Sequence, residues 1–164
     1  MLKKEEQKKR LGLKDKLKNV VDNISVDIFG YEKKVTKNIV QYLNKAAREE
    51  RVPPQQLFAR IVKRDATVRV FLHHRGMQLK EVPVKELAIF FAGKGTTDLF
   101  NIESKVAQSV GKYIDELSKL HEVRNDDLQI RISMSNSNVI VGAYNHLDFI
   151  KDIPVQDLVK YFKP

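Results

Sequence analysis

The chain has no cysteine. That absence removes disulfides, thiol catalysis and thiolate metal sites, and it fits a cytoplasmic protein. No apolar run approaches the ~20 residues that a membrane-spanning helix requires, so no membrane association is expected. The opening MLKKEEQKKR is charged and has no apolar stretch behind it, unlike a secretory signal. His73, His74, His121 and His146 show neither an HExxH motif nor any other metal-ligand spacing. Asp126 and Asp127 precede an expected strand and read as turn residues. The segment GKGTTD at 93–98 lacks the first glycine of a phosphate-binding loop and follows a helix rather than a strand. Gly93 is better explained as a helix C-cap. No nucleophile–base pairing stands out. No catalytic residue, metal site or cofactor is expected, and the protein reads as a non-enzyme.

What is present is a repeat. Sliding the chain by 71 positions lays VDIFGYEKKV on TDLFNIESKV and KEVPVKELAIFF on KDIPVQDLVKYF, without a gap. Residues 27–91 and 98–162 then share 17 identities over 65 pairs, where ordinary residue usage would give about 4. A lone 65-residue unit would be marginally stable, so two copies packed as one pseudo-twofold globular unit are expected. The expected organisation is a basic tail and amphipathic helix over 1–26, repeat one over 27–92, a linker at 93–97 and repeat two over 98–164.

Each unit has the same pattern. Val35, Ile39, Tyr42, Leu43 and Ala46 follow helical spacing, as do Val106, Val110, Tyr113, Ile114 and Leu117. Pro53 and Pro54 are expected to end the first of these helices. Leu128, Ile130, Ile132 and Met134 alternate with polar residues as a half-buried strand. SNSN at 135–138 is turn chemistry, and Val139 and Val141 belong to a second strand. Repeat one matches with 57–63, a turn at 64–66, and 67–74, and a third short strand is possible at 77–82 and 148–153. Pro83 and Pro154 then open a short helix, whose Leu87 with Phe91, and Leu158 with Phe162, face the sheet. The predicted fold class is therefore α+β: a tandem duplication of a helix–antiparallel hairpin (two or three strands)–helix unit behind a basic N-terminal helix and tail. This element order is similar to that of double-stranded-RNA-binding domains. Those domains place a lysine cluster at the start of the last helix, where VPVKELAIFF offers only Lys85, and the order alone assigns no family.

The net charge of +9 is unevenly spread, with +5 on residues 1–19, +6 on repeat one and −3 on repeat two. A basic copy beside an acidic one suggests that one meets a polyanion while the other supports it. With Leu57, Ala59 and Ile61 inward beside Val68, Val70 and Leu72, the outer face of repeat one presents Phe58, Arg60, Val62, Arg69, Phe71, His73 and Arg75. His74 falls on the inward side as a border residue. Sheets with interleaved aromatic and basic residues bind single-stranded nucleic acid by base stacking and phosphate pairing. The matching face of repeat two, with Gln129, Arg131, Ser133, Ile140, Gly142 and Tyr144, keeps only the Arg60/Arg131 equivalence. The expected function is non-catalytic nucleic-acid binding, single strands preferred to duplexes, through Arg60, Arg69, Phe71, His73 and Arg75 together with Lys8, Lys9 and Arg10. The alternative is a small structural or adaptor subunit of a phage particle or other large assembly, with a protein partner or a second copy covering the apolar part of this face.

Overall fold

The structure, a computed structural model, describes residues 32–86 and 99–162. The expected basic tail and amphipathic helix of residues 1–26, the 93–97 linker and the candidates Lys8, Lys9 and Arg10 lie outside the described residues.

Helix α1 covers residues 32–50 and buries Val35, Ile39, Tyr42, Leu43 and Ala46. Helix α2, Leu99–Leu120, buries Val106, Val110, Tyr113, Ile114 and Leu117. Each stripe is the one that helical periodicity selects. Both helices end in the same backbone device. The Val52 N–H donates to the Ala47 carbonyl at 3.0 Å and Arg51 to Arg48 at 3.3 Å, while Val123 donates to Ser118 at 2.9 Å and Glu122 to Lys119 at 3.4 Å. This is the paired 6→1 and 5→2 pattern of a Schellman cap. Its left-handed position is held by Arg51 (φ 57°) and Glu122 (φ 54°) rather than glycine. The first helix has thus stopped before Pro53. That residue precedes a short 3₁₀ turn, Pro54–Gln56, instead.

Six strands follow in two meanders: β1 Leu57–Arg64, β2 Thr67–His74 and β3 Met77–Val82, then β4 Leu128–Ser135, β5 Asn138–Asn145 and β6 Asp148–Asp152. They form one antiparallel sheet in the order β3-β2-β1-β4-β5-β6. The sheet is larger than hairpins of two or three strands suggest, because β1 and β4 pair edge to edge and fuse the halves. At this seam Ala59 lies opposite Ile132, Arg60 opposite Arg131 and Ile61 opposite Ile130. The fold is accordingly α+β. One buried cluster joins α1 and α2 to the inward residues of the sheet, including Leu57, Ile61, Val70, Leu72, Leu128, Ile130, Ile132 and Val141. Alternation along each strand leaves the other face of the sheet for function.

The connections are tight. Asp65-Ala66 (φ 52° and 63°) joins β1 to β2, and Asn136-Ser137 (φ 49° and 66°) joins β4 to β5. Two consecutive positive φ values mark the I′ class of hairpin turn, whose twist matches that of the strands. Arg75 (φ 56°) and His146 (φ 54°) turn the second hairpin of each half. The β2–β3 register slips between Leu72 and His73, leaving Leu79 unmatched, and the β5–β6 register slips between Ala143 and Tyr144, leaving Ile150 unmatched. The final helical turns begin just after Pro83 and Pro154, whose carbonyls accept from Glu86 and Asp157 at 3.0 and 2.9 Å. In the second of these, α3 (Val155–Phe162), Leu158 is fully buried. The side chains of Leu87, Phe91 and Phe162 lie outside the described residues.

Lys63 ties the sheet to α2, donating to both carboxylate oxygens of Asp115 at 2.9 and 2.8 Å, and Asn125 steadies the same carboxylate at 2.8 Å. Among the described residues, no helix is long and apolar enough to cross a membrane.

Candidate nucleic-acid interface

The outer face of the sheet carries a ladder of rings and one guanidinium that crosses five strands. On β2, His73 stacks on Phe58 of β1, with centroids 5.0 Å apart and planes within 11°. The Arg131 guanidinium of β4 lies 5.0 Å from the Phe58 ring and 4.3 Å from the Tyr144 ring of β5. Tyr144 in turn meets Phe149 of β6 edge-on at 5.5 Å. Period-two alternation on neighbouring strands brings these side chains to one face, and antiparallel register sets them side by side.

The residues expected from the sequence divide sharply. Arg60 stands at the centre of the face, directly opposite Arg131. Phe71 is only 5% exposed, with the Arg60 guanidinium 5.0 Å and the Arg69 guanidinium 5.1 Å from its ring. It is a packed ring, not the open stacking platform expected of it. Arg69 is engaged as well, donating from Nε and Nη2 to the two carboxylate oxygens of Glu81, both at 2.8 Å. That fork-to-fork pairing offsets its charge. His73 is buried against Phe58 rather than presented to solvent. Arg75 leaves the sheet altogether and sits in the β2–β3 turn at the rim. His74, on the inward side, meets Gln56 at 2.8 Å.

The exposed ring is one that the sequence did not point to. Phe149 is 55% exposed and leans on Tyr144 over the backbone of Gly142. A Cβ added at Gly142 would come within 3.0 Å of the Tyr144 ring and 3.3 Å of the Phe149 ring. Tyr144 was legible as an outer-face residue. Phe149 was not, because the unmatched Ile150 breaks the alternation in β6.

An open cleft of about 560 Å³ lies between the halves, with Phe58, Arg60 and His73 on one side and Gln129, Arg131 and His146 on the other. Its electrostatics are one-sided. Arg131 donates to the Gln129 side-chain oxygen and the His146 carbonyl, both at 3.2 Å. Among the described residues, neither Arg60 nor Arg131 has a carboxylate within ion-pair reach, and the acid at the rim, Asp127, is engaged by His146 at 2.9 Å. Burial, then the charges of Arg64 and Arg131, hold the Arg60 pKa below its ordinary value. Burial, then Arg60 and Arg131, lower that of His73. The face thus combines two arginines without a carboxylate partner among the described residues with a row of aromatic rings. In comparisons with known proteins, no family model, curated protein or solved structure matches the chain.

Proposed function

We propose that this protein binds single-stranded nucleic acid, without catalysis, on the outer face of its sheet. The observation that carries the reading is the Arg60–Arg131 pair: two arginines directly opposite each other across the seam, unneutralised by any carboxylate among the described residues, within an aromatic ladder that ends in exposed Phe149. Guanidiniums pair bidentately with phosphates, and exposed rings stack on unpaired bases, which a duplex does not offer. The net charge of +9 supports the same partner.

The sheet is, in this proposal, a tandem duplication, as the offset of 71 in the sequence suggests. Support comes from backbone detail that sequence drift does not erase. The described non-glycine residues with positive φ fall into pairs at that offset: Arg51/Glu122, Asp65/Asn136, Ala66/Ser137 and Arg75/His146, each pair agreeing within 3°. The unmatched residues Leu79 and Ile150 obey it too, and so does the seam pair Arg60/Arg131, as an approximate twofold axis passing between those two residues would require.

Fluorescence anisotropy with labelled short oligonucleotides, single-stranded and duplex, at two salt concentrations tests the function. Single strands should bind more tightly. Arg60→Gln and Arg131→Gln should each reduce the slope of log affinity against log salt by about 0.7, the value for one single-strand phosphate contact. The reading fails if neither form binds, or if both variants keep the slope of the unsubstituted protein. A second reading, a subunit of a larger assembly, draws on the exposed apolar residues Ile140, Leu147 and Phe149. It requires concentration-dependent self-association that Phe149→Ser abolishes.

A further inference from the structure

We infer that the cleft astride the seam is a site for one phosphate group of a nucleic-acid backbone, with Arg60, Arg131 and the Nε2 atom of His73 as its donors. The nucleic-acid origin of that phosphate rests on the preceding reading; the anion site itself does not.

Unpaired buried donors carry the argument. His73 is 8% exposed and lines the cleft, and its buried Nε2 has no hydrogen-bond partner among the described residues. The Nε atom of Arg60, on the same cleft, is buried and equally unpartnered. A buried polar atom left without a partner costs about 1–3 kcal/mol, so two of them on residues that line one cleft make a place where an acceptor relieves the fold. The acceptor must be anionic, because two guanidiniums face the same space. It must also offer several oxygens at once, because the donors come from three strands: β1, β2 and β4. A tetrahedral phosphate meets both conditions, whereas a carboxylate has only two oxygens to share. The site is rigid before anything binds. Stacking on Phe58 fixes the plane of the His73 ring, and Arg131 is held by its bonds to Gln129 and the His146 carbonyl.

The arrangement couples binding to protons. The groups facing His73 are Phe58 and Arg60 from β1, Arg131 from β4 and Gln78 opposite it on β3, with Arg75 beyond the strand end. None is acidic, so the imidazole of the free protein is neutral at pH 7. A phosphate between the guanidiniums reverses the local field and favours imidazolium, a second charged donor type for its oxygens. Docking therefore takes up as much as one proton. Affinity should be highest below the free-state histidine pKa and should decline as pH rises through that of the complex.

The test uses the full chain and two probes. Inorganic sulfate stands in for phosphate because it does not titrate in the working range, and a short oligothymidylate supplies backbone phosphates. The His73 ring and Arg60 Nε–H resonances are followed by NMR from about pH 5.5 to 7.5, a span that brackets the ordinary histidine pKa. Both probes should raise the His73 midpoint. Oligothymidylate affinity should fall by up to ~10-fold per pH unit within the coupled window, as one linked proton requires. His73→Gln should flatten that dependence. Arg60→Gln and Arg131→Gln, which leave His73 in place as a reporter, should abolish the shift in its midpoint. If oligothymidylate binds while the His73 midpoint stays still, the site is overturned and the nucleic-acid reading survives. If sulfate moves the midpoint while no oligonucleotide binds, the anion site stands and its nucleic-acid origin is overturned. Unchanged pH dependence in His73→Gln also overturns the site.

Discussion

Arg60 of β1 and Arg131 of β4 sit directly opposite each other at the centre of the sheet. Like charges in that relationship cost about 0.2–1 kcal/mol. Arg131 offsets its share by lying over Phe58 and Tyr144, and Arg60 by lying over Phe71. In a double-mutant cycle of Arg60→Gln and Arg131→Gln, the double variant should be less stable than the sum of the single changes predicts, by about 0.5 kcal/mol, because that sum counts the relief of one repulsion twice. Added salt should shrink that coupling by screening the pair. Chemical denaturation at two ionic strengths checks both statements.

Two phenylalanines on the same face should behave in opposite ways. Phe71→Ala removes a buried ring and should cost about 3–5 kcal/mol of stability. Phe149→Ala should change stability by less than ~1 kcal/mol, yet cost about 1–3 kcal/mol of single-strand affinity as a lost stacking platform. Melting curves and anisotropy titrations on both variants separate packing from binding.

The hairpin turns hold non-glycine residues where glycine is at ease. Ala66 (φ 63°) and Ser137 (φ 66°) each occupy the second position of a turn with two positive φ values. A side chain there costs about 1–2 kcal/mol, and glycine returns part of that through the greater freedom of the unfolded chain, about 0.5–1 kcal/mol. Ala66→Gly and Ser137→Gly should therefore each raise stability by about 0.5–1 kcal/mol. A fall in melting temperature in either variant would contradict the turn assignment.

The lowered pKa of His73 also links stability to pH. Because the folded state binds its proton more weakly than the unfolded chain, the contribution is fully present above the unfolded value of about 6.5. It is lost as pH falls toward the lower folded-state value. Acidification through that window should lower the melting temperature of the free protein, and His73→Gln should remove this component. The sign is opposite to that expected for anion binding, which acid should strengthen.

Much of the sheet was legible because its alternation is regular. Leu128, Ile130, Ile132 and Met134 announce a half-buried strand, and SNSN announces the turn that follows. The helix stripes were equally plain. What escaped was set by neighbours distant in sequence. Phe71 reads as an outer-face aromatic, and so it is, but Arg60, directly opposite it on β1, and Arg69, two residues back on β2, close over it, and periodicity does not say how far long side chains fold over a neighbouring ring. Arg69 reads as a free cation until β3 brings Glu81 beside it. Phe149 lies in DFIKD, where one unmatched residue shifts the alternation and hides which face it serves. Pro53 and Pro54 suggest the stop of the first helix, yet Arg51 holds its cap, as Glu122 holds that of α2, and neither residue type advertises a left-handed conformation. Residues Lys8, Lys9 and Arg10 lie outside the described residues.

The seam between β1 and β4 also has a kinetic consequence. Within each half, every strand pairing links neighbours in the chain, so each meander assembles from short-range contacts. The seam alone joins partners ~70 residues apart, and closing a loop of that length costs about 4 kcal/mol of chain entropy. Local contacts form early, and distant ones set the rate. Docking of the two meanders is thus expected to limit the folding rate, with the arginines that meet there repelling as it occurs. Raising the ionic strength should speed refolding of this net cationic chain most at the step where Arg60 first approaches Arg131.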